Sequence, residues 1–207
     1  MTEHVAEQRR FLAEELQPKL DAAVAGHGHV LFVDAAHFVF ATFLCHLWSI
    51  LRVHVRAASG RQRFNVLGAW DAVTRQLTMV TNTTVVNADT MCELLRAVAA
   101  KGLAGPVTMV LDNARYQRNQ MVMALAAELK IDLLFLPSYS PNLNLIERLW
   151  RFTKRRACYG KFHADFARFR SAVESVLGGL ETTHAEDMAS LMTQNFQEFD
   201  NVSLLGG

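Results

Sequence analysis

The chain has 207 residues, 51% of them apolar and 20% charged, with a formal net charge of +1. That length suits one domain burying roughly 70% of its unfolded surface, and the apolar share excludes a disordered chain. Near-neutral charge argues against holding nucleic acid by bulk charge alone. The three cysteines, Cys45, Cys92 and Cys158, are far apart and odd in number. They form neither a disulfide framework nor a CxxC zinc site, so a reducing cytosol is expected.

The first residues lack the apolar run of a signal peptide. Residues 3–25 read as a helix, with Phe11, Leu12, Leu16 and Leu20 at helical spacing and Pro18 expected to kink or end it. Val30–Phe40 reads as a buried strand and Leu47–Val55 as a second. Val30–Ile50, which takes in the first and the start of the second, is long enough to span a bilayer. Asp34, His37 and His46 interrupt it, and a central acid costs about 3 kcal/mol on insertion scales. Buried strands of a water-soluble core explain it better, and no membrane role is expected. After a turn at Ser59-Gly60-Arg61, residues 63–71 and 76–81 look like paired strands.

Ala88–Lys101 reads as a helix capped by Asn87. Val107–Leu111 is a short apolar strand, Gln117–Lys130 a helix, and Ile131–Leu136 a second apolar strand. Helices are expected over 144–158 and about 164–180, and the last 27 residues show weak periodicity. Strands first, then alternating helices and strands, predict an α/β layered domain with a mixed sheet. The apolar strands beside helices should be parallel and buried.

Three acids stand out. Asp34 interrupts VLFVDAAHFVF, where an ionised carboxylate is costly unless paired, hydrogen-bonded or metal-bound. It could also be a strand-end acid capping a turn or pairing with an arginine. Asp112 directly follows the strand VTMVL, and α/β sheets place ligands at the carboxyl ends of parallel strands; its ordinary alternative is an Asp-Asn turn. Glu147 follows PSYSPNLN. It could sit at N3 of a capping box with Asn144 as the cap, or pair with Arg151 one turn on. Together the three could also meet the needs of divalent-metal phosphoryl transfer. That chemistry gathers two or three carboxylates, whose hard oxygens suit Mg²⁺. Two ions about 4 Å apart serve the attacking and leaving oxygens.

The segments MVLDNARYQRN and LLFLPSYSPNLNLIERLWRFTKRR resemble the catalytic domain of the IS630/Tc1/mariner transposase superfamily, IS630-like in type. Thirty-four residues separate Asp112 from Glu147, as in that family's DD34E pattern. VDAAHF is similar to the segment bearing the first acid, and RFNVLGAW to the next strand, so the resemblance covers about residues 28–165. Many relatives carry a second acid directly after the first, where this chain has Ala35.

The resemblance implies a ribonuclease-H-like mixed sheet flanked by helices. It implies Asp34, Asp112 and Glu147 as catalytic metal ligands for Mg²⁺ or Mn²⁺, two ions being expected. The implied activity is DNA strand cleavage by water and joining by a DNA 3′-hydroxyl. Asn113 and Asn144 are candidates for orienting acids or waters, and His37 is a candidate supporting residue near the site; a turn, a cap and an ordinary core or surface histidine are the alternatives. The implied layout is an N-terminal helix and linker over 1–27, a catalytic domain over 28–180 and an acidic tail over 181–207.

The net charge hides an asymmetry. Residues 144–170 hold eight Lys/Arg against two acids, whereas residues 171–207 hold six acids and no Lys/Arg. Four arginines and no acid lie between Ala35 and Trp70. Arg148, Arg151, Lys154, Arg155 and Arg156 beside Glu147 suit contacts to DNA phosphates, or form a solvated helix face. His27 and His29 lack the further ligands zinc needs, and Trp48, Trp70 and Trp150 are expected to fill the core.

Residues 1–25 are too short for a helix-turn-helix module. The expectation is a catalytic domain lacking its N-terminal DNA-reading region, through a split reading frame, a truncation or isolation of the domain. It would work with transposon ends and target DNA, with a separate helix-turn-helix protein or upstream frame product, and as a homodimer. Its expected location is the bacterial cytoplasm, at the nucleoid when acting. The alternatives are an inactive or regulatory remnant that binds DNA or protein, and a stand-alone ribonuclease-H-like nuclease.

Overall fold

The computed structural model describes residues 2–40, 62–138 and 140–196. Its strands are β1 (His29–Val39), β2 (Arg63–Asp71), β3 (Leu77–Asn82), β4 (Val107–Leu111) and β5 (Ile131–Phe135). Its helices are α1 (Thr2–Phe11), α2 (Gln17–Val24), α3 (Ala88–Ala99), α4 (Gln120–Glu128), α5 (Ile146–Ala157), α6 (Phe166–Gly178) and α7 (Ala185–Leu191). The strands form one mixed sheet in the order β3-β2-β1-β4-β5. The hairpin side is antiparallel, and β4 and β5 run parallel to β1.

Burial follows the two-residue period of a strand. Leu31, Val33, Leu67, Ala69, Met109 and Leu111 point to one face, where α3 and α4 cover them with Met91, Leu94, Leu95 and Val122. Val30, Phe32, Phe38, Phe64, Val66, Trp70 and Val110 point to the other, against Leu149, Trp150, Phe169 and Val173 of α5 and α6. Burial on both faces accounts for the long apolar run of β1, which Asp34 and His37 interrupt.

Strand positions match the sequence expectation closely; the strand expected at Leu47–Val55, the turn at 59–61 and Trp48 lie outside the described residues. Pro18 does not end the N-terminal helix. A π-helical turn at Leu12–Leu16 precedes it, and the Gln17 N–H donates to Leu12 O; Pro18 then falls in the first turn of α2, where its missing N–H matters least. Leu16 and Leu20 are fully buried in the same core as Trp70. Helix α4 starts later than expected because residues 115–118 form a turn, and Asn119 caps it. Helix α7, seven residues long, lies within the weakly periodic end and sends Met188 into the core. Among the described residues no helix is long and apolar enough to cross a membrane.

Candidate active site

The first two acids are brought together by register. Phe32 of β1 pairs with Val110 of β4 in parallel, and two residues further along each chain stand Asp34 and Asp112. Both share the face of Phe32 and Val110, the face that α5 covers. Neighbouring strands run about 4.8 Å apart, so acids at one level are neighbours. On its other side Asp34 pairs with Gly68 of β2. Gly68, Asp34 and Asp112 thus form a row across three strands.

Helix α5 brings Glu147 to this row. Its buried stripe, Ile146, Leu149, Trp150, Thr153 and Ala157, has helical spacing, and Glu147 sits half-buried beside it. The fit depends on Gly68: a Cβ there would lie 2.8 Å from Trp150 Cη2, closer than packing allows. A glycine inside a central strand often marks such a close approach, and this signal in RFNVLGAW could have identified Gly68 from sequence. Asn144 does not cap α5, contrary to the capping-box alternative. Leu145 holds the cap position without a side-chain bond. The Asn144 amide instead donates to Val33 O at 3.1 Å, tying the start of α5 to the residue before Asp34.

The carboxylates feel one another. Burial first, then the Asp112 charge and more weakly that of Glu147, push Asp34 up to about 7. The Ala35 N–H and the Trp150 side chain act the other way; the indole N–H is buried but makes no bond of ordinary geometry, so its influence is weak. Glu147 is raised by burial and by Asp112, against the lowering effect of Arg151 and Lys154. Tyr116 is also raised, by burial and then by Asp112 and Asp34.

The remaining candidates divide. Asn113 adjoins the row, in a left-handed conformation (φ 72°), and its amide donates to Leu136 O. His37 does not join it. Three residues past Asp34 on an unbroken ladder, it faces the opposite side, where Nδ1 contacts Asn65 Oδ1 at 2.8 Å. The basic helix is partly engaged within the chain. Arg148 donates to Leu191 O, Thr193 O and Asn195 O at 3.3, 2.9 and 2.6 Å, and Arg156 bonds Asp187 at 3.1 Å. Arg151 and Arg155 are exposed and line a groove between α5 and α7. Arg52, Arg56 and Arg61 lie outside the described residues.

Among the described residues no three His, Cys, Asp or Glu side chains are already gathered into a metal cage. The donor chemistry nonetheless fits a hard divalent cation. Carboxylates that raise one another would ionise together around a dication, and their oxygens are the donors Mg²⁺ and Mn²⁺ take. Asn144 Oδ1, buried and without a hydrogen-bond partner, is a further acceptor beside the row, of the kind a ligand or water normally satisfies.

Comparison with known proteins agrees with this architecture. Solved structures with the same fold include the Mos1 mariner paired-end complex with Mn (TM-score 0.59, 16% identity, 97% of this chain and 65% of that one). A pre-cleavage Mos1 transpososome is similar (TM-score 0.60, 13% identity, 96% and 63%), as is the Mos1 paired-end complex with Mg (TM-score 0.59, 13% identity, 97% and 64%). The chain therefore spans less than two thirds of the length of these relatives. No curated protein matches it. The family model described as DDE superfamily endonuclease matches residues 29–170, a span that contains the whole row and Glu147, and the chain belongs to that family.

Proposed function

We propose that this chain is the catalytic domain of an IS630-like DNA transposase that cuts and joins DNA strands by in-line displacement at phosphorus, with residues 28–180 as the catalytic unit. The observation that carries this is the parallel register that sets Asp34 and Asp112 at one level of neighbouring strands, with α5 bringing the charge of Glu147 within reach of Asp34. These three would hold divalent metal, Mg²⁺ or Mn²⁺, and two ions are proposed. When bound, the metal lowers the pKa of an attacking water or hydroxyl and neutralises charge on the leaving oxygen.

The chain's own residues position and neutralise. Asp34 is the inner, partly buried acid, and Asp112, at the exposed strand end, faces incoming substrate. Glu147 closes the site from α5, seated by Trp150 over Gly68 and by the Asn144 bond to Val33 O. Asn113 steadies Asp112 from the next position. Arg151, Lys154 and Arg155 are the DNA-phosphate contacts proposed on α5. Arg148 and Arg156, engaged with the C-terminal segment, contribute charge and hold that segment in place. DNA ends as substrate, a helix-turn-helix partner, a homodimer and action at the bacterial nucleoid complete the proposal, supported by the transposase likeness.

The test is Mn²⁺-dependent cleavage and joining of DNA carrying the element's ends, comparing the wild type with Asp112→Asn. Wild-type cleavage with joined product, reduced roughly a thousandfold in Asp112→Asn, is expected. Cleavage without joining would indicate a nuclease, and equal activity in both proteins would remove Asp112 from the site.

A further inference from the structure

Asp112 has little to hold it. It lies one residue past the end of β4, exposed, and its own contact is a 3.3 Å bond from the Ala114 N–H. Its neighbours are bracketed instead. Leu136, just past β5, donates its N–H to Leu111 O at 2.8 Å, before Asp112. The Leu136 carbonyl accepts from the Asn113 amide, after Asp112. One residue thus grips the chain on both sides of the acid.

That grip works only while the Asn113 carboxamide keeps one orientation, with nitrogen toward Leu136 O. Arg118 supplies the constraint. Its Nε donates to Asn113 Oδ1 at 2.8 Å, and its Nη2 donates to the same oxygen. A guanidinium only donates and a carbonyl only accepts, so these two partners fix the amide between them. The guanidinium itself lies 4.1 Å from the centroid of the Phe135 ring, a cation–π seat at the end of β5. Phe135, Leu136, Asn113 and Arg118 thereby lock the β4 exit to the β5 exit.

We propose that Arg118 is a positioning residue for the second carboxylate, acting through Asn113 to hold Asp112 at the level of Asp34. The proposal rests on the functional reading above for its consequence in catalysis, but the lock itself can be tested without activity. Arg118 is exposed, so its removal leaves the core intact. Support of this kind, one shell behind a metal ligand, is worth about 10–100-fold in metal affinity or activity.

The experiment compares wild type, Arg118→Ala and Arg118→Lys in three measurements: amide hydrogen exchange over residues 111–118, binding of Mn²⁺ alone, and DNA cleavage. Arg118→Ala should exchange faster across 112–117, bind Mn²⁺ about tenfold more weakly and cleave about tenfold more slowly, with an unchanged melting temperature and DNA affinity. Arg118→Lys keeps a cation but loses the fork, and should fall between. Unchanged exchange in Arg118→Ala overturns the proposal whatever the activity, as does a loss of DNA affinity alone, which would make Arg118 a DNA contact. If wild type neither binds Mn²⁺ nor cleaves, the functional reading fails, and the exchange measurement still decides the lock.

Discussion

Around the candidate site the two faces of the sheet share the same strands but differ in one row; the polar pair His37 and Asn65, on the face opposite the site, stands further along β1 and β2. On the α3 and α4 face, Leu31, Val33, Leu67, Ala69, Met109 and Leu111 are all buried and apolar. On the α5 face the same alternation gives Phe32, Val66, Trp70 and Val110, until one level carries Gly68, Asp34 and Asp112 instead. The first face maximises apolar burial. The second gives up packing at that level and accepts a partly buried carboxylate, which costs stability. Local departures from core rules of this kind are what functional sites produce.

Truncation should separate the faces most strongly. Leu67 is fully buried on the apolar face, so Leu67→Ala should lose about 2–5 kcal/mol through the cavity it leaves, while the folded fraction keeps its activity. Its neighbour Gly68 faces the site. Gly68→Ala adds a carbon against the Trp150 ring and should lose about 1–3 kcal/mol by overpacking, but with a fall in cleavage per folded molecule because Glu147 shifts with α5. Denaturant unfolding paired with cleavage rates checks both. Equal activity per folded molecule in the two variants would erase the distinction.

Next comes the stability cost of Asp34. Well below its ordinary value of 3.8 the Asp34 carboxyl is protonated in folded and unfolded chains alike. As pH rises, the unfolded chain ionises first, near 3.8, and the folded protein loses stability until Asp34 itself ionises near 7. In metal-free buffer at pH 8, Asp34→Asn should therefore be more stable than wild type by about 4 kcal/mol, and the gain should vanish at about pH 3. Unfolding at the two pH values tests this, and a gain independent of pH would refute the electrostatic cause.

The smallest effect lies on the exposed helix face. Arg155→Ala should weaken DNA binding modestly and reduce its logarithmic salt slope by about one. A titration at several salt concentrations reads this directly, and an unchanged slope would take Arg155 off the DNA path.

Much of this was legible in the sequence because it is local. VTMVL and IDLLF are short apolar runs beside helices, and both are parallel strands. Asn87 caps α3 in a full capping box with Thr90. The failures are long-range. Asn144 has the composition of a helix cap, yet its amide is drawn 111 positions back along the chain to Val33 O. Arg148 is bonded to carbonyls more than 40 positions downstream, an engagement that no local pattern announces. His37 follows Asp34 closely, but an odd offset in a strand turns it to the other face. Arg118 gave no local signal, because its two partners, Asn113 and Phe135, come from the exits of different strands.

The central claim is that the row on the α5 face holds divalent metal and the opposite face does not. Calorimetric titration of Mn²⁺ into the wild type, Asp34→Asn, Asp112→Asn and His37→Ala tests it most directly. Binding in wild type and His37→Ala, lost or at least tenfold weaker in both Asp variants, is the expected result. Equal binding in all four, or loss in His37→Ala alone, would contradict it.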